Sequence, residues 1–399
     1  MSNGFENRYS IAVSHDIEHI NTEPWMLNPN IIYLNHGSFG ARTKSIFEYQ
    51  MALKVEFEKS PVDFLDRQRE RIVEARHTVA LFLGADSDRF GFVDNATTGV
   101  GCVVNSISFA ESDEIVSTNH VYNGVRQLLM KKADDTGCSY REIPISFPVT
   151  SNDELFERVT SSITSSTKLL VIDHVSSSSA IVFPVQEIVR FCKDKGVLVL
   201  VDGAHAPGML DLNIDRIGAD WYVGNLHKWV CAPLGSGFVY ASKEQCDSTH
   251  PMTVSHWYKQ GFAQEFDWQG TKDVTSWLAA AKAVEWGEVV GWRQIRNHNH
   301  ELVTWMHRTL VETWNVEPLT PIDGSMLGNM ATVRLPDGCP HKLDECLVFR
   351  DKIYEKYQIE VPIFELQGHG VVRVSAQLYN RKDEIKRLLS AICQLSSFI

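Results

Sequence analysis

Short apolar runs alternate with amphipathic stretches through the middle of the chain. LLVIDHV (169–175) is followed by VQEIVRFCKDKG (185–196) and then by VLVLVD (197–202). Helical spacing puts Val185, Ile188, Val189 and Cys192 on one face of the middle piece, and Gly196 suits its stop. Apolar runs flanking such a helix predict a βαβ unit whose parallel strands are covered on both faces. EIVST (114–118), WYVG (221–224) and GFVYAS (237–242) repeat the rhythm. The pattern predicts a large α/β domain over 31–275, with a mostly parallel sheet between helices.

Past about residue 275 the texture changes. SWLAAAKAVEWGEVV and WRQIRNHNHELVTWMHRTLVETW predict long helices, NMATVRL and GVVRVSA predict strands, and KLDECLVFRDKIYEKY predicts another helix. Together they predict a smaller α+β domain over 276–399. Residues 1–30 have no sheet rhythm and are expected to pack on that smaller domain. The chain shows no internal repeat and no low-complexity tract.

Composition narrows the function classes. With Lys plus Arg at 38 and Asp plus Glu at 50, the formal charge is −12 over 399 residues. That excludes the strongly basic footprint of a nucleic-acid binder. No apolar run approaches the roughly 18 residues needed to span a bilayer, and the first 20 residues carry acids and lack the apolar core of a signal peptide. The eight cysteines are scattered, with no CxxC pair and no spacing that suggests zinc. They are expected to be reduced thiols in a cytoplasmic protein, and no metal is expected.

Four features fall near the ends of predicted strands, where open α/β sheets bind ligands. Asp202 ends VLVLVD; an acid there needs a cation, unless it is only a helix cap or turn residue. Lys228, between His227 and Trp229, is either a snorkelling surface lysine or a desolvated amine available for Schiff-base chemistry. Asn95-Ala96-Thr97-Thr98-Gly99 opens a helix and can both cap it and cradle a phosphate. Arg373 lies within an apolar strand and must pair, either with an internal acid or with a substrate carboxylate. An aldehyde-trapping lysine, an acid for a pyridinium nitrogen, a phosphate cradle and a carboxylate clamp are what a pyridoxal phosphate (PLP) enzyme acting on an amino acid requires.

The sequence resembles the class V aminotransferase-like branch of fold-type I PLP enzymes over nearly its whole length. The segments that carry the resemblance are YLNHGSFGA (33–41), DNATTG (94–99), HVYNGV (120–125), VDGAHAPG (201–208), GNLHKWVCAPLGSGF (224–238), WQGTKD (268–273) and VRVSAQLYN (372–380). Within that branch it is most similar to the isopenicillin N epimerase-like group, which includes hercynylcysteine sulfoxide lyases and plant-type cysteine desulfhydrases.

The resemblance implies roles. Lys228 would be the Schiff-base lysine and the base for the substrate α-proton, and Asp202 would pair with the pyridine nitrogen. His205 and Ser177 would lie near the ring's 3-oxygen. Ala96, Thr97, Asn225 and His227 would hold the phosphate, with Thr271 reaching it from the partner subunit of a homodimer. His120 or Tyr122 would stack on or edge the ring. Arg373 would bind the substrate carboxylate. Asn35 and His36 would line the substrate entrance, and Tyr122 or His36 would protonate the leaving group. Where many members carry Asn near the 3-oxygen and Ser before the His–Lys pair, this chain has Ser177 and Asn225.

No cysteine lies between Cys346 and Arg373, where desulfurases carry their nucleophilic thiol. The activity implied is therefore a C–S lyase of a cysteine conjugate, most specifically hercynylcysteine sulfoxide in ergothioneine biosynthesis, in the cytoplasm and also the nucleus. L-cysteine desulfhydrase, an amino-acid epimerase and a non-catalytic binding protein are the alternatives.

Overall fold

The computed structural model describes residues 23–396. Twelve strands are defined among them. β1 (Ile32–Tyr33) is followed by β2 (Phe90–Val93), β3 (Glu114–Thr118), β4 (Ser139–Ile143), β5 (Thr167–Asp173) and β6 (Leu198–Gly203). Then come β7 (Trp221–Asn225), β8 (Gly237–Ala241), β9 (Met330–Arg334), β10 (Ile359–Glu360), β11 (Ile363–Leu366) and β12 (His369–Ser375).

The main sheet has the order β2-β8-β7-β6-β5-β3-β4. Strands β3 to β7 run parallel, and β8 is antiparallel to both of its neighbours. Val199, Leu200 and Val201 of β6 are all fully buried, as strands covered on both faces must be. On one face, helices Lys44–Lys59, Pro61–Phe82, Val185–Asp194 and Thr275–Val290 build the larger apolar core. On the other, helices Ala96–Ser106 and Asn123–Thr136 cover the sheet. Val185, Ile188, Val189 and Cys192 form the buried face of their helix, and Gly196 follows its end at φ +72°.

A second antiparallel sheet, β11-β12-β9, packs with helices Trp292–Trp314, Leu343–Tyr357 and Lys382–Ser396 around a separate core. Helix Trp292–Trp314 bridges the two cores: Trp292 and Ile295 join the large one, Leu302 to Leu310 the small one. Helix Thr275–Val290 packs wholly with the large core, whereas Ile32 and Leu34 belong to the small one, because β1 pairs in parallel with β10. Of the segment expected on the smaller domain, residues 1–22 lie outside the described residues. Trp25 meets Tyr379 edge-on at 4.9 Å and Trp286 at 5.7 Å. No helix among the described residues is long and apolar enough to cross a membrane.

The chain leaving β1 crosses directly over the peptide that carries Lys228. Gly40 sits at φ +69°, and a Cβ there would lie 2.1 Å from the His227 carbonyl oxygen. Both the backbone and the space require glycine. Gly40→Ala is expected to cost about 2 kcal/mol or more in urea unfolding, against about 1 kcal/mol for Gly196→Ala. Gly196 has a similar φ of +72° but nothing within 4 Å of its added Cβ, so the difference reads out the contact.

Candidate active site

The carboxyl ends of β5, β6 and β7 open into a cavity of about 760 Å³. Lys228, Asp202, His205, Arg373, Thr97 and Tyr122 all line it. Lys228 follows β7 by three residues, and Leu226 and Trp229 beside it are buried. Burial, followed by the charge of Arg373, pulls the Lys228 amine down to about 7. Its Nζ lies 3.0 Å from His205 Nε2. Burial and neighbouring cations hold His205 neutral at ordinary pH, so Nε2 accepts and Nδ1 keeps a proton that has no partner.

Asp202 ends the apolar run of β6 and is 3 % exposed. Its Oδ1 accepts the Ala204 N–H at 2.9 Å. A Cβ on the next residue, Gly203, would lie 2.2 Å from the Tyr222 ring, so glycine lets that buried phenol reach His174 Nδ1 at 2.8 Å.

Helix Ala96–Ser106 points its start at the cavity. The capping Asn95 Oδ1 accepts the Thr98 N–H at 2.9 Å, and Asn225 Oδ1 accepts the Ala96 N–H at 2.8 Å. Ala96 and Asn225, both expected at the phosphate, are thus committed to each other through those atoms. Thr97 is left at the helix start, where free donors and the helix dipole favour an anion. His227 donates Nδ1–H to Ser236 O at 3.2 Å, and burial, with Lys228 next, lowers it to about 4. Its Nε2 becomes a donor only on taking up a proton, which an adjacent anion favours.

Arg373, in β12 of the second sheet, reaches the cavity and is 5 % exposed. It donates to the Ser177 backbone carbonyl and, at 2.8 Å, to Ser38 Oγ, while its Nε has no partner. Ser38 in turn donates to Asn35 Oδ1. Burial lowers the guanidinium to about 10, which still leaves it charged at neutral pH.

Three expected positions need correction. His36 does not line the cavity. It is fully buried, donates Nε2–H to the Lys228 carbonyl at 3.0 Å and accepts the Tyr379 hydroxyl on Nδ1 at 2.9 Å. Burial lowers it to about 3, so it braces the lysine peptide as a neutral ring and reaches no leaving group. Asn35 likewise acts behind Ser38 rather than at the entrance. His120 is turned away, with Nδ1 on Ser179 Oγ at 2.8 Å and Nε2–H on Ile145 O at 3.0 Å. Tyr122, half exposed, is the ring of the two that faces the cavity.

Thr271 lines a different cleft, beside Phe57 and Phe64. Ser38, Phe39 and Asp173 line the cavity without having been singled out. Asp173 carries the signal read for Asp202, an acid ending an apolar run. No cysteine lines the cavity, and Cys231, three residues after Lys228, is fully buried with its thiol pushed up by burial. No cluster of metal-binding side chains occurs among the described residues.

A buried amine of low basicity, an acid at the adjacent strand end and an anion-seating helix start fit pyridoxal phosphate, whose aldehyde, pyridine nitrogen and phosphate require those three groups. The fold and site are those of a fold-type I PLP enzyme. The family model for class-V aminotransferases matches residues 44–388, and the chain belongs to that family. Its cofactor is pyridoxal 5'-phosphate. The chain is 32% identical to a probable chloroplastic L-cysteine desulfhydrase of Arabidopsis thaliana, over 92% of this chain and 83% of that one. It is 30% identical to the isopenicillin N epimerase of Amycolatopsis lactamdurans, over 93% and 96%. It is 22% identical to the hercynylcysteine sulfoxide lyase of Schizosaccharomyces pombe, over 93% and 96%. Its fold is similar to that of the cystine C–S lyase C-DES in complex with cysteine persulfide, with a TM-score of 0.78 and 20% identity over 91% and 97% of the two chains.

A Lys228 amine near 7 has a distinct kinetic signature. Only the neutral amine attacks an aldehyde, so the rate at which cofactor-free protein captures pyridoxal phosphate should rise up to about pH 7 and then level off. An ordinary lysine would keep accelerating to about pH 10. Stopped-flow absorbance measures this, and Lys228→Ala should abolish the covalent step.

Proposed function

We propose that the chain is a carbon–sulfur lyase that removes the sulfur substituent from the β-carbon of an L-cysteine derivative, giving a thiol or sulfenate, pyruvate and ammonia. The observation that carries this reading is a single cavity holding a low-basicity amine, a buried guanidinium with a spare donor, and no thiol. Without a lining cysteine the sulfur leaves in a small molecule instead of passing to the enzyme.

When bound, pyridoxal phosphate supplies the sink for negative charge at the substrate α-carbon. Arg373 clamps the substrate carboxylate with Nε and the donor it now gives to Ser38. Lys228 Nζ takes the α-proton, which its lowered basicity permits near neutral pH. Asp202 would meet the pyridine nitrogen, and His205 and Ser177 would serve the 3-oxygen. Thr97, His227 and the free amide of Asn225 would seat the phosphate. Tyr122 stands at the mouth, where its hydroxyl can protonate the departing sulfur.

The large cavity suits a bulky conjugate, and hercynylcysteine sulfoxide is the substrate we place first. Free L-cysteine is the second reading, favoured by the 32% identity to the plant desulfhydrase. We further propose a homodimer in which Thr271, which lines a separate cleft of its own chain, completes the phosphate seat of the other.

Incubation with hercynylcysteine sulfoxide and with L-cysteine, followed by a pyruvate assay, ranks the two substrates. Exchange of the α-hydrogen with solvent deuterium and no pyruvate from either would reject the lyase in favour of an epimerase. Arg373→Ala should raise KM for the better substrate roughly ten- to a hundredfold, the worth of a charge-assisted hydrogen-bond pair. Light scattering should return twice the chain mass, and Thr271→Ala should weaken phosphate retention without altering that mass; a monomer with full cofactor affinity contradicts the shared site.

A further inference from the structure

We infer that Asp173 is a positioning residue that holds a proton against Asp202, so that the two neighbouring carboxyls act as one group carrying a single negative charge toward the cofactor.

The strand register carries the argument. Asp173 ends β5 and Asp202 lies in β6, and the two are direct partners in the parallel ladder. Such partners stand about 4.8 Å apart with their side chains on the same side of the sheet. Both line the cavity, and each is 3 % exposed. Among the described residues neither carboxyl has a cationic nitrogen within 4.0 Å. Two like charges so placed, out of water and unpaired, do not both ionise.

The surroundings decide where the proton sits. Asp202 accepts the Ala204 N–H, which favours its charged form, whereas Asp173 Oδ2 has no partner. A protonated Asp173 has a hydroxyl to donate, and the Asp202 carboxylate is the acceptor alongside. Burial, then the charge of Asp202, pushes Asp173 well above the usual carboxylate range.

The other titratable groups around the pair do not supply a second counter-charge. Lys228 acts on both carboxyls from the end of the β7 side, but its own charge is partial near neutral pH. Arg126 acts on Asp173 from its helix while bound to Glu142 at 2.5 Å. His174 and His205 are neutral through burial, and the Tyr222 phenol is pushed well up. Arg373 faces Lys228 and His205. One negative charge is enough to meet a protonated pyridine nitrogen. Two would oppose the entry of a phosphate and a carboxylate into the same cavity.

Infrared difference spectra between wild type and Asp173→Asn test this in both holoenzyme and cofactor-free protein. At pH 7 the wild type should show the C=O stretch of a protonated carboxylic acid, absent from the variant, and this band should convert to carboxylate at alkaline pH. The absorbance of bound cofactor should show an alkaline transition in the wild type that Asp173→Asn, fixed at one charge, lacks. Carboxylate bands only at pH 7, or superimposable absorbance titrations, would overturn the inference. Asp173→Val, which cannot donate, should weaken cofactor binding roughly tenfold; wild-type affinity contradicts the role. If circular dichroism shows that the valine variant does not fold, the asparagine comparison decides either way.

Discussion

The site depends on an amine being kept out of water. A lysine ammonium is costly to bury, and the remedy is to lower its basicity until the neutral form is accessible. Leu226, Trp229 and the surrounding sheet end exclude water from Lys228, and Arg373 adds repulsion against its charge. The carboxyls at the ends of β5 and β6 oppose that drift, which keeps the amine poised instead of permanently neutral. An acidic chain thereby gathers its cationic and donor groups at one sheet edge, inside an otherwise negative envelope.

Holding that amine in place takes parts from both ends of the chain. The segment after β1 lays Gly40 against the His227 carbonyl and His36 against the Lys228 carbonyl. His36 is anchored by Tyr379, and Trp25 packs on the same tyrosine. Arg373 leans on Ser177 and on Ser38. The hairpin carrying Arg373 also reaches the loop of Tyr122, where Gln367 donates to Ile145 O at 2.8 Å beside His120. The β12 strand thus supplies Arg373 to the cavity, and the segment after β1 braces the lysine peptide.

Family and fold leave the fate of the substrate open, because every reaction of this class begins at the same α-carbon. What differs is the fate of the charge that forms there. The cavity has no thiol of its own. Tyr122 is the lining phenol exposed at the mouth.

Much of the molecule follows from local pattern. Strands β3, β5, β6, β7 and β8, the helices Val185–Asp194 and Trp292–Trp314, and the strands carrying Met330 and Arg373 fall where the apolar periodicity puts them. The family and its cofactor were likewise legible, because the motifs around Asp202, Lys228 and Arg373 occur in order along the chain. The edge strands β2 and β4 and the two-residue pairing of β1 with β10 were not, since short or half-polar strands carry little periodicity. Nor could the sequence say which way a polar side chain turns. His36, Asn35 and His120 sit in motifs that point to the site, yet hydrogen-bond partners 25 to 343 residues away draw His36 and His120 behind the cavity wall. Asp173 was hidden for the opposite reason. Its strand was evident, but only the β5–β6 register sets it beside Asp202, and a pairing between strands is a property of the assembled sheet.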